Sequence, residues 1–264
     1  MTTDWEYGGE FHWPDLNQDC GAPIVPEGTR LFASGRDALG ALFELGIGSH
    51  GWRRLHLPGY FCQKVVAAAE SIGLEVVLYA DSPVQPEPSL PPRPMQTEDV
   101  VLVVNYFGIR RPPQAGALAL GPATLIEDHT HDPWSHWATT SRADYCMASL
   151  RKTLPLTDGA ALWSPRGRRL PQWRPVTRER EAASRKKLAA MTLKRLYLEG
   201  EDVEKLAFRR LQQDGEQHVA GGEISGASPW ATQMLHLLPW ESWRRRREAN
   251  FGWLAEALTG LPGI

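Results

Sequence analysis

The chain carries a series of short runs that are apolar at nearly every position. They are Arg54–Pro58 (RLHLP), Glu75–Tyr79 (EVVLY), Val100–Asn105 (VVLVVN), Ala123–Glu127 (ATLIE), Asp144–Ser149 (DYCMAS) and Ala160–Trp163 (AALW). A strand with one wet face alternates apolar and polar residues; apart from RLHLP these do not, so both of their faces are expected to be covered. The stretches between most of them are long enough for crossovers, and two read as helices. One is Ala38–Leu45, opened by Ser34-Gly35-Arg36, and the other is Gln63–Ile72, stopped by Gly73. The expectation is a parallel α/β sheet sandwiched by helices. Residues 82–97 stay out of it, because Pro83, Pro86, Pro88, Pro91, Pro92 and Pro94 cannot donate to a ladder.

The flanks read differently. Residues 1–30 are aperiodic and form an N-terminal arm. Beyond Arg168 the texture is Glu-, Lys-, Arg- and Ala-rich, which predicts two helices over Thr177–His218, interrupted at Gly200. Helices are also expected over Trp230–Leu238 and Trp243–Leu258, so three units follow: 1–30, 31–228 and 229–264. At roughly 150 residues per domain, 264 residues suit one large domain and part of another.

Charge narrows the partners. Lys and Arg total 29 against 31 Asp and Glu, a net charge of −2, which argues against nucleic acid or an anionic membrane as the main partner. Arg244–Arg247 then reads as a solvated or inter-subunit helix face. Cys20, Cys62 and Cys146 fit neither CxxC spacing nor a disulfide framework, which points to a reducing compartment, with Cys62 and Cys146 as inert buried thiols. The acidic start MTTDWEYGGE is unlike a signal peptide and no apolar stretch suits a bilayer, so a soluble, cytoplasmic protein is expected. Of the 11 tryptophans, Trp5, Trp13, Trp134 and Trp137 fall in loop-like segments suited to a pocket or a subunit interface.

Three segments at predicted strand or helix ends can carry chemistry, since ligands gather outside the carboxyl ends of strands in open α/β sheets. Glu127-Asp128-His129-Thr130-His131-Asp132 follows ATLI. It suits a metal held by His129, His131 and Asp128 or Asp132, a solvated turn, or a single carboxylate that holds a cationic heterocycle. Ser149-Leu150-Arg151-Lys152 follows DYCMA. A Ser-x-x-Lys acyl-enzyme would want Ser-Asp-Asn and Lys-Thr-Gly partners, which do not occur. A basic turn, or a lysine acting as an amine nucleophile, remains. Ser34-Gly35-Arg36 at a helix start suits a phosphate. A phosphate cradle, a carboxylate for a pyridinium nitrogen and a Schiff-base lysine are together the parts that pyridoxal 5′-phosphate requires, and no metal is needed.

In these segments the chain resembles the DegT/DnrJ/EryC1/StrS aminotransferase family. The resemblance runs through LPGYFCQKVVAAAESIGLEVVLYAD (57–81), VVLVVNYFG (100–108), LIEDHTHD (125–132) and ADYCMASLRKTLPLTDGAAL (143–162), and weakly through RRRREANFGWLAEAL (244–258). It implies a three-layer fold-type I large domain over 31–228 and the beginning of a small C-terminal domain over 229–264, short at its C-terminal end. It also implies Lys152 as the Schiff-base lysine and proton shuttle, and Asp128 as partner of the ring nitrogen. His131 would lie near the phenolic oxygen, and Ser149 with the backbone of Ser34, Gly35 and Arg36 would take the phosphate. Tyr60 would cover the ring and Asn105 would line the pocket. The implied reaction is amino transfer from an amino-acid donor to a keto-sugar or specialised-metabolite ketone, in a homodimer. Elimination or decarboxylation on the same apparatus, or a non-catalytic binding subunit, are the alternatives. The pattern departs from sugar-specific members at Arg36, at the three-residue step from Ser149 to Lys152, and at Gly159-Ala160.

Overall fold

The computed structural model describes residues 10–16, 25–92, 94–113, 120–220 and 222–261. Cys20, Trp5 and much of the predicted N-terminal arm lie outside them. In chain order the elements are β1 (Arg30–Phe32), α1 (Gly35–His50), β2 (Arg54–Pro58), α2 (Gln63–Ser71), β3 (Glu75–Tyr79), β4 (Asp99–Val104), β5 (Thr124–Asp128), α3 (His136–Thr140), β6 (Tyr145–Ala148), β7 (Ala160–Trp163), α4 (Arg178–Leu198), α5 (Lys205–Ala220), α6 (Pro229–Met234) and α7 (Trp240–Leu258).

The strands form one sheet in the order β1-β7-β6-β5-β4-β2-β3. β2 to β6 are parallel, as the continuous apolar runs require. The central sheet is mostly parallel, as the fold class implies, with one antiparallel strand. β7 runs antiparallel to β6 and to β1, because only the short loop after Lys152 separates β6 from β7 and a parallel return needs a crossover. β1 was not expected at all; three residues carry too little periodicity to be seen.

The pleat divides the core in two. Leu55, Leu57, Val100, Leu102, Ile126, Tyr145, Met147 and Leu162 face α1 and α2. Val101, Val103, Leu125, Cys146, Ala148 and Trp163 face α3, α6 and the start of α7. Helices therefore cover both faces, giving the expected three layers. At α1 the local reasons are plain. Ser34 Oγ caps the helix by accepting the Asp37 N–H at 3.3 Å, and Gly51 ends it at φ 68°. Trp52 then folds back so closely that a Cβ on Gly46 would lie 1.9 Å from its ring.

Two expectations about side chains fail. Cys62 is exposed, because it sits at the start of α2 outside the core; Cys146 is buried. Trp13 packs on Trp230 at 5.8 Å and Trp134 stacks on Trp240 at 4.6 Å, while Trp137 is buried. These tryptophans fill core between α6, α7 and the sheet rather than line a pocket, since large apolar area is most stable away from water. Among the described residues, no helix is long and apolar enough to cross a membrane.

Candidate functional site

The carboxyl ends of β4, β5 and β6 meet the N-terminus of α1. Asp128 closes β5 with only 7% exposure, and its Oδ1 accepts the Thr130 N–H at 2.8 Å. Burial pushes its carboxyl above the ordinary range; the Thr130 hydrogen bonds and the neighbouring His131 and His129 oppose that rise. The Thr130 hydroxyl in turn accepts the Ser149 N–H at 3.0 Å, which ties the turn after β5 to the end of β6.

Asp128 pairs in register with Met147, and the pleat puts Ser149 on that same face, under α1. A Cβ on Gly35 would lie 3.0 Å from Met147 Cε and 3.8 Å from Ser149 Oγ. Glycine thus allows the first turn of α1 to approach Ser149 closely. The Ser149 hydroxyl has no hydrogen-bond partner among the described residues. Lys152 ends the helical turn Leu150–Lys152, is exposed, and its amine likewise has no hydrogen-bond or ion-pair partner among them.

His131 joins this group. Its Nδ1 accepts the Phe107 N–H at 2.9 Å, and its ring stacks on Phe107 at 5.4 Å with 6° between the planes. Burial lowers its pKa first; Asp128 opposes that and the Lys152 charge adds to it, so all three side chains share one field. Phe107 carries a left-handed φ of 59°, the one non-glycine positive φ among the described residues. Asn105 follows β4, with its N–H on the Asp128 carbonyl at 2.9 Å. Its Nδ2 donates to Ser135 Oγ at 3.0 Å, while its buried Oδ1 has no partner.

The side chains of the remaining sequence candidates have other neighbours. The Ser34 hydroxyl donates to Asp37, which also accepts from Arg180 Nη2 at 3.0 Å. Arg36 lines a cavity of about 580 Å³ together with Glu44, Arg174, Arg180 and Glu223. Tyr60 is 60% exposed, with its ring 5.6 Å from that of Tyr106.

Three residues of this site were not expected from the sequence. Phe107 carries no local signal beyond its place after β4. Arg244 holds Asp132 with two nitrogens at 2.8–3.1 Å, and Arg247 Nη1 donates to the Thr153 carbonyl at 2.9 Å. The reading of Arg244–Arg247 as a solvated helix face is corrected for Arg244, which is held against Asp132, while Arg245, Arg246 and Arg247 are exposed. Arg244 and Arg247 anchor α7 over a cavity of about 220 Å³ lined by Phe107, Ile109, His131 and Phe251. The pairing of His129 with His131 on one metal also fails. Alternation sends His129 to the opposite face of the sheet, between Trp137 and Trp163.

No family model matches the sequence, and no curated protein matches it. Among solved structures, DesV of S. venezuelae in complex with a ketimine intermediate superposes with a TM-score of 0.53, at 18% identity, over 89% of this chain and 58% of DesV. The chain has the fold of DesV. Two partial matches are a DegT DnrJ EryC1 StrS aminotransferase from Brucella abortus (TM-score 0.38, 16% identity, 53% of this chain and 42% of that one) and 3-amino-5-hydroxybenzoic acid synthase (0.40, 17%, 53% and 38%). The chain spans less than two thirds of each of these proteins. On the DesV-like fold, Asp128, Ser149 and Lys152 sit at adjacent strand ends, where an α/β sheet of this kind places ligands.

Proposed function

We propose that this chain binds pyridoxal 5′-phosphate at the ends of β5 and β6 and acts as an aminotransferase. The observation that carries the reading is that Gly35 closes on Ser149 on the sheet face that Asp128 shares, with Lys152 in the turn just after Ser149 and its charge acting on His131; among the described residues neither the Ser149 hydroxyl nor the Lys152 amine has a hydrogen-bond partner. The donor set fits the group. α1 is 16 residues long, and its N-terminal N–H groups with Ser149 Oγ suit a phosphate dianion. Asp128, buried and among the described residues bonded to no cationic side chain, suits a protonated ring nitrogen.

The cofactor supplies an aldehyde that holds amines covalently and a ring that takes up electrons from a broken bond at the substrate Cα. Lys152 would hold it through Nζ and, once displaced by the amino donor, move a proton between the substrate Cα and the cofactor C4′. Asp128 would hold the ring nitrogen in its protonated form. His131, fixed by the Phe107 N–H and ring, would border the phenolic oxygen. The acceptor would be a keto-sugar or a ketone of specialised metabolism. The exposed apolar side chains of Tyr60, Phe107 and Ile109 around the site support a homodimer that covers them.

The test is an absorbance spectrum of the protein with added pyridoxal 5′-phosphate, followed by borohydride reduction and peptide mass spectrometry. A near-visible band and a pyridoxyl adduct on Lys152, both lost in Lys152→Ala, are expected. A folded protein with no band, or an adduct on another lysine, would overturn the assignment.

A further inference from the structure

On the opposite face of β5, Glu127, His129 and Cys146 gather in the sealed layer between the sheet and α3. Glu127 pairs in register with Cys146 across β5 and β6, and His129 stands two residues along on the same face. One ligand atom from each lies within 4.8 Å of the other two. His129 Nε2 is 3.0 Å from Glu127 Oε2, and Cys146 Sγ is 3.8 Å from that same oxygen. Ligand atoms about 2.0–2.3 Å from a tetrahedral ion sit roughly 3.3–3.7 Å apart, so small shifts would seat one ion among the three. All three residues are buried, and the walls are Val103, Ala148, Trp137 and Trp163.

A hydrogen-bonded Glu–His pair alone leaves this layer unsatisfied. Glu127 Oε1 and His129 Nδ1 are buried with no partner. An isolated carboxylate is also costly in an apolar layer. A divalent cation resolves the charge: one carboxylate, one thiolate and one neutral imidazole sum to zero with it. A carboxylate that binds through both oxygens would occupy Oε1 as well. Ser141 Oγ, 3.2 Å from Cys146 Sγ, offers a fourth ligand. The mixture of thiolate, imidazole and carboxylate selects a borderline-soft ion over magnesium or calcium.

We propose that Glu127, His129 and Cys146 form a structural zinc site between the sheet and α3, on the face opposite the Asp128–Lys152 group. Because the layer is closed, the ion enters as the chain folds, and it fixes the turn that leads to His131. The proposal is independent of the cofactor reading.

The test is to fold or express the full chain with zinc or with cobalt(II) and to remove unbound ion by gel filtration. Elemental analysis should find about one zinc per chain. The cobalt form should show a thiolate-to-cobalt charge-transfer band with the strong visible absorption of a tetrahedral ion. Cys146→Ser and Glu127→Gln should lose most of the metal while keeping the native circular dichroism. If Cys146→Ser does not fold, the wild-type cobalt spectrum decides alone. Wild-type protein that folds without retaining zinc, cobalt protein without a thiolate band, or folded Cys146→Ser with undiminished zinc would each overturn the site.

Discussion

Arg244 grips Asp132 through Nε and Nη2 at 2.8–3.1 Å, joining α7 to the turn that carries His131 across 112 residues of chain. Asp132 is further held by the Trp134 N–H on its Oδ1 at 3.2 Å, and its Cβ sits where a Cβ on Gly108 would come within 2.4 Å. The clamp is thus wedged between two turns that line the candidate site. A double-mutant cycle of Arg244→Ala and Asp132→Ala, read by urea denaturation, should give a coupling energy of about 1–2 kcal/mol. Additive effects would mean that the pair holds nothing.

Gly108 itself should not tolerate a side chain. It adopts φ 72°, and an added methyl would overlap Asp132. Gly108→Ala is expected to cost about 2 kcal/mol or more in denaturant titrations, beyond the ordinary price of a left-handed alanine. A loss below about 0.5 kcal/mol would show that the turn yields freely.

Gly35→Ala separates binding from folding. The nearest atom to the new methyl is the end of the flexible Met147 side chain at 3.0 Å, so the fold should survive with a loss near 1 kcal/mol. The methyl also approaches Ser149 Oγ, where the phosphate would lie. Affinity for pyridoxal 5′-phosphate, read by titration of the absorbance band, should fall by ~10-fold, or about 1.4 kcal/mol. Unchanged affinity would remove Gly35 from the phosphate site.

Asp128→Asn should move stability and turnover in opposite directions. Burial raises this carboxyl, so holding it ionised at neutral pH costs folding free energy. The amide removes that cost and keeps an oxygen for the Thr130 N–H. Thermal melts of the cofactor-free protein should show an unchanged or higher Tm, while transamination falls by on the order of 100-fold with cofactor still bound. Full turnover would mean that the ring nitrogen has another partner.

Glu216 should make stability acid-sensitive. Burial alone would raise its carboxyl, but Arg151 and Lys187 outweigh that and hold it at about 2. A depressed carboxylate contributes stability that is present above its unfolded value near 4.3 and is lost as pH falls through about 2. Glu216 is partly exposed, so Glu216→Gln should cost about 1 kcal/mol or less at pH 7. The gap between mutant and wild type should close between pH 5 and pH 2. A pH-independent gap would point to packing instead. Because Arg151 neighbours Lys152, the same variant reports on how firmly that turn is tied to α5.

Local pattern made the strands legible. VVLVV and ATLIE announce themselves because burial on both faces excludes polar residues from a central parallel strand, whereas EVVLY, expected to be buried, lies at the sheet edge with Glu75 and Leu78 exposed; Gly73 and Ser34 mark helix ends through backbone geometry that any fold must satisfy. β1 and α3 stayed hidden because three and five residues hold no period. The direction of β7 was set by how little chain separates it from β6, a fact of loop length rather than of the strand itself.

The sequence by itself determined the covered parallel sheet and the placement of Asp128, Ser149 and Lys152 at strand ends, since each depends on neighbours a few residues away. Tertiary structure alone decided that Arg36 lines a cavity with Glu44 and Arg180 and that Cys62 stays exposed. It also decided that Arg244 crosses 112 residues to reach Asp132, and that Glu127, His129 and Cys146 share one sealed layer. Those outcomes depend on which elements become neighbours in space, and the periodicity of a single segment carries no record of that.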